Sequence, residues 1–195
     1  NTQDLVMKPA FHRAAMAIVE ELAQRCAEGP ALGIGGPYAD QTGLYNAYYV
    51  LSGGKVVHRA LKHHLPNETV FDEVRIYDSA APGGPYAIGP LRIGSPICED
   101  AWHEDVCETL QETGAELLMV PNGSPYFRGK LEVRQNIMVA RVVETGLPLV
   151  YLNMVGGQDD QVFDGGSFVL NPGGELALQM PLFDAAVTHA DFIRT

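Results

Sequence analysis

Leu91 to Trp102 reads LRIGSPICEDAW. The first half is apolar and stops at Gly94-Ser95-Pro96, and a cysteine and two acids come next. An apolar run that halts at turn residues and passes into an acidic start predicts a buried strand leading into a helix. The pattern puts that helix over His103 to Thr113, with Asp100 as its expected cap and Glu104 in its acidic first turn. Cys98 then stands where a strand ends. A thiol there meets the positive end of a helix dipole and free backbone N–H groups, which favour thiolate. The same N–H groups can hold an oxyanion. Glu99 and Asp100 act the other way, because adjacent negative charges raise a thiol pKa. A nucleophile at this place needs a cation beside it, either a substrate amine or a lysine. Without one, a buried structural cysteine is the commoner state for such a residue.

Reading outward from this stretch gives the rest of the architecture. Leu117 to Pro121 is a buried strand, Arg128 to Thr145 a helix with Leu131, Met138, Val142 and Val143 among its apolar positions, and PLVYLNMV a further strand. SFVLNPGGELALQM is a hairpin turning over Asn171-Pro172-Gly173-Gly174. Upstream, YAIGPLRIGSPIC holds two short strands, while 63–85 loses periodicity and is rich in Pro and Gly, as functional loops often are. Leu44 to Leu51 and KVVHRAL form a hairpin around Gly53-Gly54, and Ala31 to Gly36 reads as a short buried strand. Lys8 to Ala27 repeats apolar residues at helical spacing: Phe11, Ala14, Ala15, Ile18, Val19, Leu22 and Cys26. Helices and strands alternate in the middle and hairpins bracket them. The class is α/β with mixed sheets, sheet on sheet, helices outside.

Composition narrows the function. The chain has 195 residues, one globular domain's worth, and a formal net charge of -11. Such a surface repels phosphate backbones, which argues against nucleic acid. No apolar stretch is long enough to span a membrane, and the first residues lack a signal peptide's apolar core. Three cysteines without CxxC or zinc-type spacing point to a reduced, cytoplasmic protein. Cys26 and Cys107 fall on helices and are expected to be structural. His58, His63 and His64 lie on strand or loop and are expected to be solvated or hydrogen-bonded, with no metal site.

Lys62 closes the strand KVVHRALK where the irregular loop begins. Most lysines are solvated. A functional lysine here would donate a charged hydrogen bond to an oxyanion and help keep a thiol ionised. Glu73, in VFDE, could orient it.

Three segments together resemble the nitrilase superfamily of carbon–nitrogen hydrolases, in the glutamine amidohydrolase branch that accompanies NAD+ synthetases. They are LKHHLPNETVFDEVRIY (Leu61 to Tyr77), ICEDAW (Ile97 to Trp102) and NGSPYFRGKLEVR (Asn122 to Arg134), in the family's order. The resemblance implies an α-β-β-α sandwich with Cys98 as nucleophile, Lys62 as oxyanion lysine and Glu73 as supporting glutamate. It implies glutamine contacts at Glu99, at Ser124 and at the backbone of Phe71. It also implies a homo-oligomer, no cofactor in this domain, and ATP with Mg2+ in a synthetase domain of the same chain. The ATP-binding S-G-G-x-D-S loop is not found here, since Ser52-Gly53-Gly54 is followed by Lys55.

Two departures stand out. The family's general-base glutamate belongs to a strand-end segment upstream of DLVMKPAF, so residues 1–195 are expected to be a domain lacking its N-terminal strand region and nearly inactive alone. Glu68 also stands where the branch has tyrosine. The rival readings are a stand-alone amidase or nitrilase acting on another amide, and a catalytically silent scaffold of the same fold.

Overall fold

The structure is a computed structural model that describes residues 3–193. The elements run α1 (Pro9–Arg25), β1 (Leu32–Ala39), β2 (Leu44–Ser52), β3 (Lys55–Leu61), α2 (Glu73–Ile76), β4 (Tyr86–Ile88), β5 (Leu91–Gly94), α3 (Glu104–Glu112), β6 (Leu117–Asn122), α4 (Lys130–Thr145), β7 (Leu149–Asn153), β8 (Val155–Gln158), β9 (Gln161–Asp164), β10 (Phe168–Leu170) and β11 (Leu176–Gln179). Short 3-10 turns at Gln3–Met7 and Cys98–Trp102 complete them.

The strands form an antiparallel three-stranded sheet, β1-β2-β3, and a six-stranded sheet in the order β11-β10-β7-β6-β5-β4. In the larger sheet β5, β6 and β7 are parallel and the outer pairs antiparallel, so it is mixed as expected. Three apolar layers separate four structural ones. Val19 and Ala23 of α1 pack on Ala47, Tyr49 and Leu51 of β2. Tyr48 and Val50, on the opposite face of β2, pack on Tyr86, Ile93 and Leu117 of the other sheet and on Ile97 just beyond β5. Val106, Cys107, Leu110, Met138 and Val142 of α3 and α4 cover that sheet's far face through Leu118, Leu149 and Tyr151. This is the α-β-β-α sandwich. Alternation along β2 explains it, because successive side chains serve opposite cores.

Some sequence expectations shift. Gly53 and Gly54 turn the β2–β3 hairpin at φ 56° and 82°, the left-handed pair a two-residue loop requires. The α1 face centres on Val19 and Ala23 rather than Ile18, which is 62% exposed. Cys26 is half-buried at the C-cap of α1 and is not a core residue, whereas Cys107 is fully buried. β1 runs longer than predicted and begins exposed, being the edge strand of its sheet. The β8–β9 hairpin was not foreseen, because VGGQ is glycine-rich and all four residues are exposed. Among the described residues no helix is long and apolar enough to cross a membrane.

Candidate active site

Cys98 follows β5 by a short turn, as its sequence indicated, but the helix behind it is different. The chain enters a 3-10 turn over Cys98–Trp102, and α3 starts only at Glu104 with His103 as its N-cap. Asp100 therefore does not cap α3. Its carboxylate is buried and accepts from the N–H of Ile97 at 2.9 Å, of His63 at 3.0 Å and of His64 at 2.7 Å. One side chain thus ties the turn that carries Cys98 to the chain that follows Lys62. Burial pushes the Asp100 carboxyl up, opposed by those N–H donors and by the charge of Lys62.

Cys98 has φ 49°. Left-handed backbone costs a non-glycine residue about 1–3 kcal/mol and persists only where the surroundings over-determine it. Two neighbours do so here: Ile97 is buried between the sheets, and Asp100 pins the turn from the other side.

Lys62 is 2% exposed and so is not a solvated surface lysine. Its Nζ donates to Glu73 Oε2 at 2.7 Å, and Asn46 Nδ2 donates to the other oxygen of Glu73 at 3.3 Å. An ammonium has three N–H groups, and among the described residues one of them is engaged by Glu73. Lys62, Glu73 and Cys98 line one cleft of about 890 Å³, together with Asn46, Tyr48, Phe71, Asn122 and Phe163. Burial pushes the Cys98 thiol up, Lys62 pulls it down, and Glu73, Glu99 and Asp100 push it up again. Asp100 opposes the thiolate less than its position in sequence suggested, because three backbone donors disperse its charge.

Two residues expected to contact substrate do not line the cleft in this structure. Ser124 is buried but does not line the cleft. Its Oγ accepts from Arg134 Nε at 3.2 Å, its carbonyl from Arg134 Nη2 at 2.8 Å, and its N–H donates to Asn153 Oδ1 at 2.9 Å. Ser124 therefore holds the loop behind the cleft wall. Glu99 is also off the cleft lining, with Oε1 3.7 Å from His103 Nε2. Phe71 does line the cleft.

Three residues take parts that the sequence reading did not assign them. Asn46 supports Glu73 from β2. Arg134, itself fully buried, binds Asp164 through Nη1 at 2.8 and 3.0 Å. Lys130 lies 4.3 Å over the Trp102 ring and 4.6 Å from the Phe127 ring. Burial, then the charge of Arg134, pushes Lys130 below an ordinary lysine, while Cys98 and Glu99 pull it back. It is thus a second cation on the Cys98 side, and its place in GKLEVR was the available signal.

A family model for carbon–nitrogen hydrolases matches residues 6–193. The chain belongs to the carbon–nitrogen hydrolase family. Among its relatives, this carbon–nitrogen hydrolase is 62% identical over 193 residues to the glutamine-dependent NAD(+) synthetase of Rhodobacter capsulatus, an overlap covering 99% of this chain and 35% of that protein. It is 35% identical over 196 residues to the glutamine-dependent NAD(+) synthetase of Xylella fastidiosa strain 9a5c, covering 99% of this chain and 36% of that one. The solved glutamine-dependent NAD+ synthetase of Acinetobacter baumannii, in complex with ADP, matches with a TM-score of 0.87 at 32% identity, covering 95% of this chain and 35% of that chain. The chain spans about a third of the length of these relatives. A carbon–nitrogen hydrolase of Helicobacter pylori G27 shares the fold with a TM-score of 0.75 at 20% identity, covering 88% of this chain and 64% of that chain.

Proposed function

We propose that this carbon–nitrogen hydrolase releases ammonia from the side-chain amide of glutamine and serves as the amidohydrolase part of a glutamine-dependent NAD+ synthetase. The observation that carries the reading is the buried Lys62–Glu73 pair opening onto the same cleft as the left-handed Cys98. A lysine is kept out of water at a strand end only where its charge has work to do or a partner to hold it, and here it has both. The similarity to glutamine-dependent NAD+ synthetases supports glutamine as the amide.

In this reading the Cys98 thiolate attacks the amide carbon of glutamine. The Lys62 ammonium and N–H groups of the Cys98 turn bind the tetrahedral oxyanion. The carbon–nitrogen bond breaks, ammonia leaves with the proton taken from the thiol, and a thioester remains. Water then attacks the thioester, giving glutamate and restoring the thiol. Glu73 is committed to Lys62 and Asn46, so it positions the lysine and a different carboxylate moves the protons. The resemblance puts that carboxylate upstream of Asp4. Phe71 forms the wall beside the substrate, and Glu99 holds its amine by leaving the loose 3.7 Å contact with His103. Ser124 supports the wall from behind. The ammonia passes to a synthetase domain that uses ATP and Mg2+ to amidate nicotinic acid adenine dinucleotide. The Ser52–Lys55 turn of this chain is a tight hairpin and no part of that nucleotide site.

A glutamine-mimicking chloroketone tests the assignment. Mass spectrometry after labelling should find the adduct on Cys98, with glutamine protecting it. An adduct on Cys26 or Cys107 instead would refute the nucleophile.

A further inference from the structure

Among the described residues, one set of three His, Cys, Asp or Glu side chains brings its ligand atoms within 4.8 Å of one another: His63, His64 and Asp105. Nothing in the glutamine chemistry uses it. His63 and His64 leave β3 just beyond Lys62, and Asp105 sits in the first turn of α3. His64 Nε2 is 2.8 and 3.0 Å from the two oxygens of Asp105, and His63 Nε2 is 3.7 Å from Oδ2.

A backbone carbonyl fixes which nitrogen of His63 carries a hydrogen. Its Nδ1 lies 2.6 Å from the carbonyl oxygen of Ala80. A carbonyl only accepts, so Nδ1 carries the hydrogen. In the neutral ring Nε2 is then a bare lone pair, and it faces a carboxylate oxygen. Two electron-rich atoms 3.7 Å apart repel each other unless a cation, a proton or a metal ion, stands between them. A backbone carbonyl fixing the far nitrogen of an imidazole is also the usual outer support of a metal-bound histidine.

The spacing suits such a cation. Ligands about 2.0–2.1 Å from a tetrahedral metal stand roughly 3.4 Å apart. The 2.8 and 3.7 Å separations bracket that value, so small side-chain rotations complete the site. The backbone under both histidines is held by Asp100, which accepts from both N–H groups. All three side chains are partly exposed, which gives a metal its entry.

We propose that His63, His64 and Asp105 form a site for a borderline divalent metal of the Zn2+ class, with water completing the coordination. Binding fastens the segment after Lys62 to the start of α3. Two imidazoles and one carboxylate favour zinc or cobalt over magnesium or calcium, which prefer all-oxygen ligands.

Cobalt(II) titration of the whole protein that carries this domain tests this, since cobalt reports its own ligands. The expected result is one equivalent with visible d–d bands of a low-coordinate nitrogen–oxygen site and no sulfur charge-transfer band, displaced by zinc. His64→Gln and Asp105→Asn should each weaken it by more than the roughly 10–100-fold that losing an outer partner costs, while His189→Gln leaves it unchanged. Circular dichroism confirms that each variant is folded. Three results would overturn the proposal: equal binding by wild type and both variants, a sulfur band showing metal on Cys98, or no such equivalent while His63 titrates with pH. The last would mean that a proton is the only cation held there.

Discussion

Lys62–Glu73 and Arg134–Asp164 are both buried ion pairs beside the same cleft, and they are built differently. Arg134 and Asp164 are 0% and 1% exposed, and the guanidinium also donates to Ser124 Oγ and to the carbonyls of Ser124 and Pro125. Its fork is used up by groups of this chain. Lys62 is as deeply buried, but its partner Glu73 is 16% exposed and the pair opens onto the cleft. The first pair ties α4 to β9 and to the loop that walls the cleft. The second leaves donors for something that arrives. A buried charge that is fully satisfied is a structural fastening, and one that is partly satisfied next to a cavity marks chemistry.

Breaking each pair should separate these roles. Arg134→Met strands Asp164 in the interior and should lower unfolding free energy by about 3–5 kcal/mol. The double change Arg134→Met with Asp164→Leu should recover most of that in urea denaturation. If the single and double variants unfold alike, the pair is not the fastening described. Lys62→Met should cut kcat/KM for glutamine hydrolysis roughly 10²–10³-fold, the loss typical of one oxyanion donor. It should shift the urea midpoint much less than Arg134→Met, because Glu73 can reach water in the cleft. A Lys62→Met variant that is inactive only because it unfolds would erase the contrast.

Asp100→Asn sits between the two, since Asp100 fastens the chain and also holds the Cys98 turn in place. It should cost about 1–3 kcal/mol of stability and lower kcat while leaving KM nearly unchanged. The smallest effect concerns pH. Burial raises the thiol of Cys98 and Lys62 lowers it, so removing the ammonium must raise it further. The midpoint of Cys98 alkylation by iodoacetamide against pH should therefore lie above that of an ordinary thiol, and higher still in Lys62→Met. Arg134→Met should move it much less than Lys62→Met, because Lys62 is the largest charge lowering this thiol.

The sandwich was readable because β2 alternates and the two long helices are amphipathic, and both are local signals. Cys98, Lys62 and Glu73 were readable as a set through their three segments, and the cleft does gather them. Asp100 was misread as the cap of α3, since a short 3-10 turn and an α-helix begin with the same acids. Ser124 does not line the cleft, and a sequence does not show which way a loop side chain faces. The approach of His64 to Asp105 spans 41 residues, and no spacing rule for ligands reaches so far. β8 was lost because four exposed residues, two of them glycine, carry no period.

The left-handed backbone at Cys98 has a further consequence. Glycine adopts that conformation freely, so the residue most comfortable at this place would be the one with no sulfur. The fold therefore keeps the proposed nucleophile against a local preference. Cys98→Gly should be inert toward glutamine and yet more resistant to heat, and drift toward greater stability at this position would silence the enzyme.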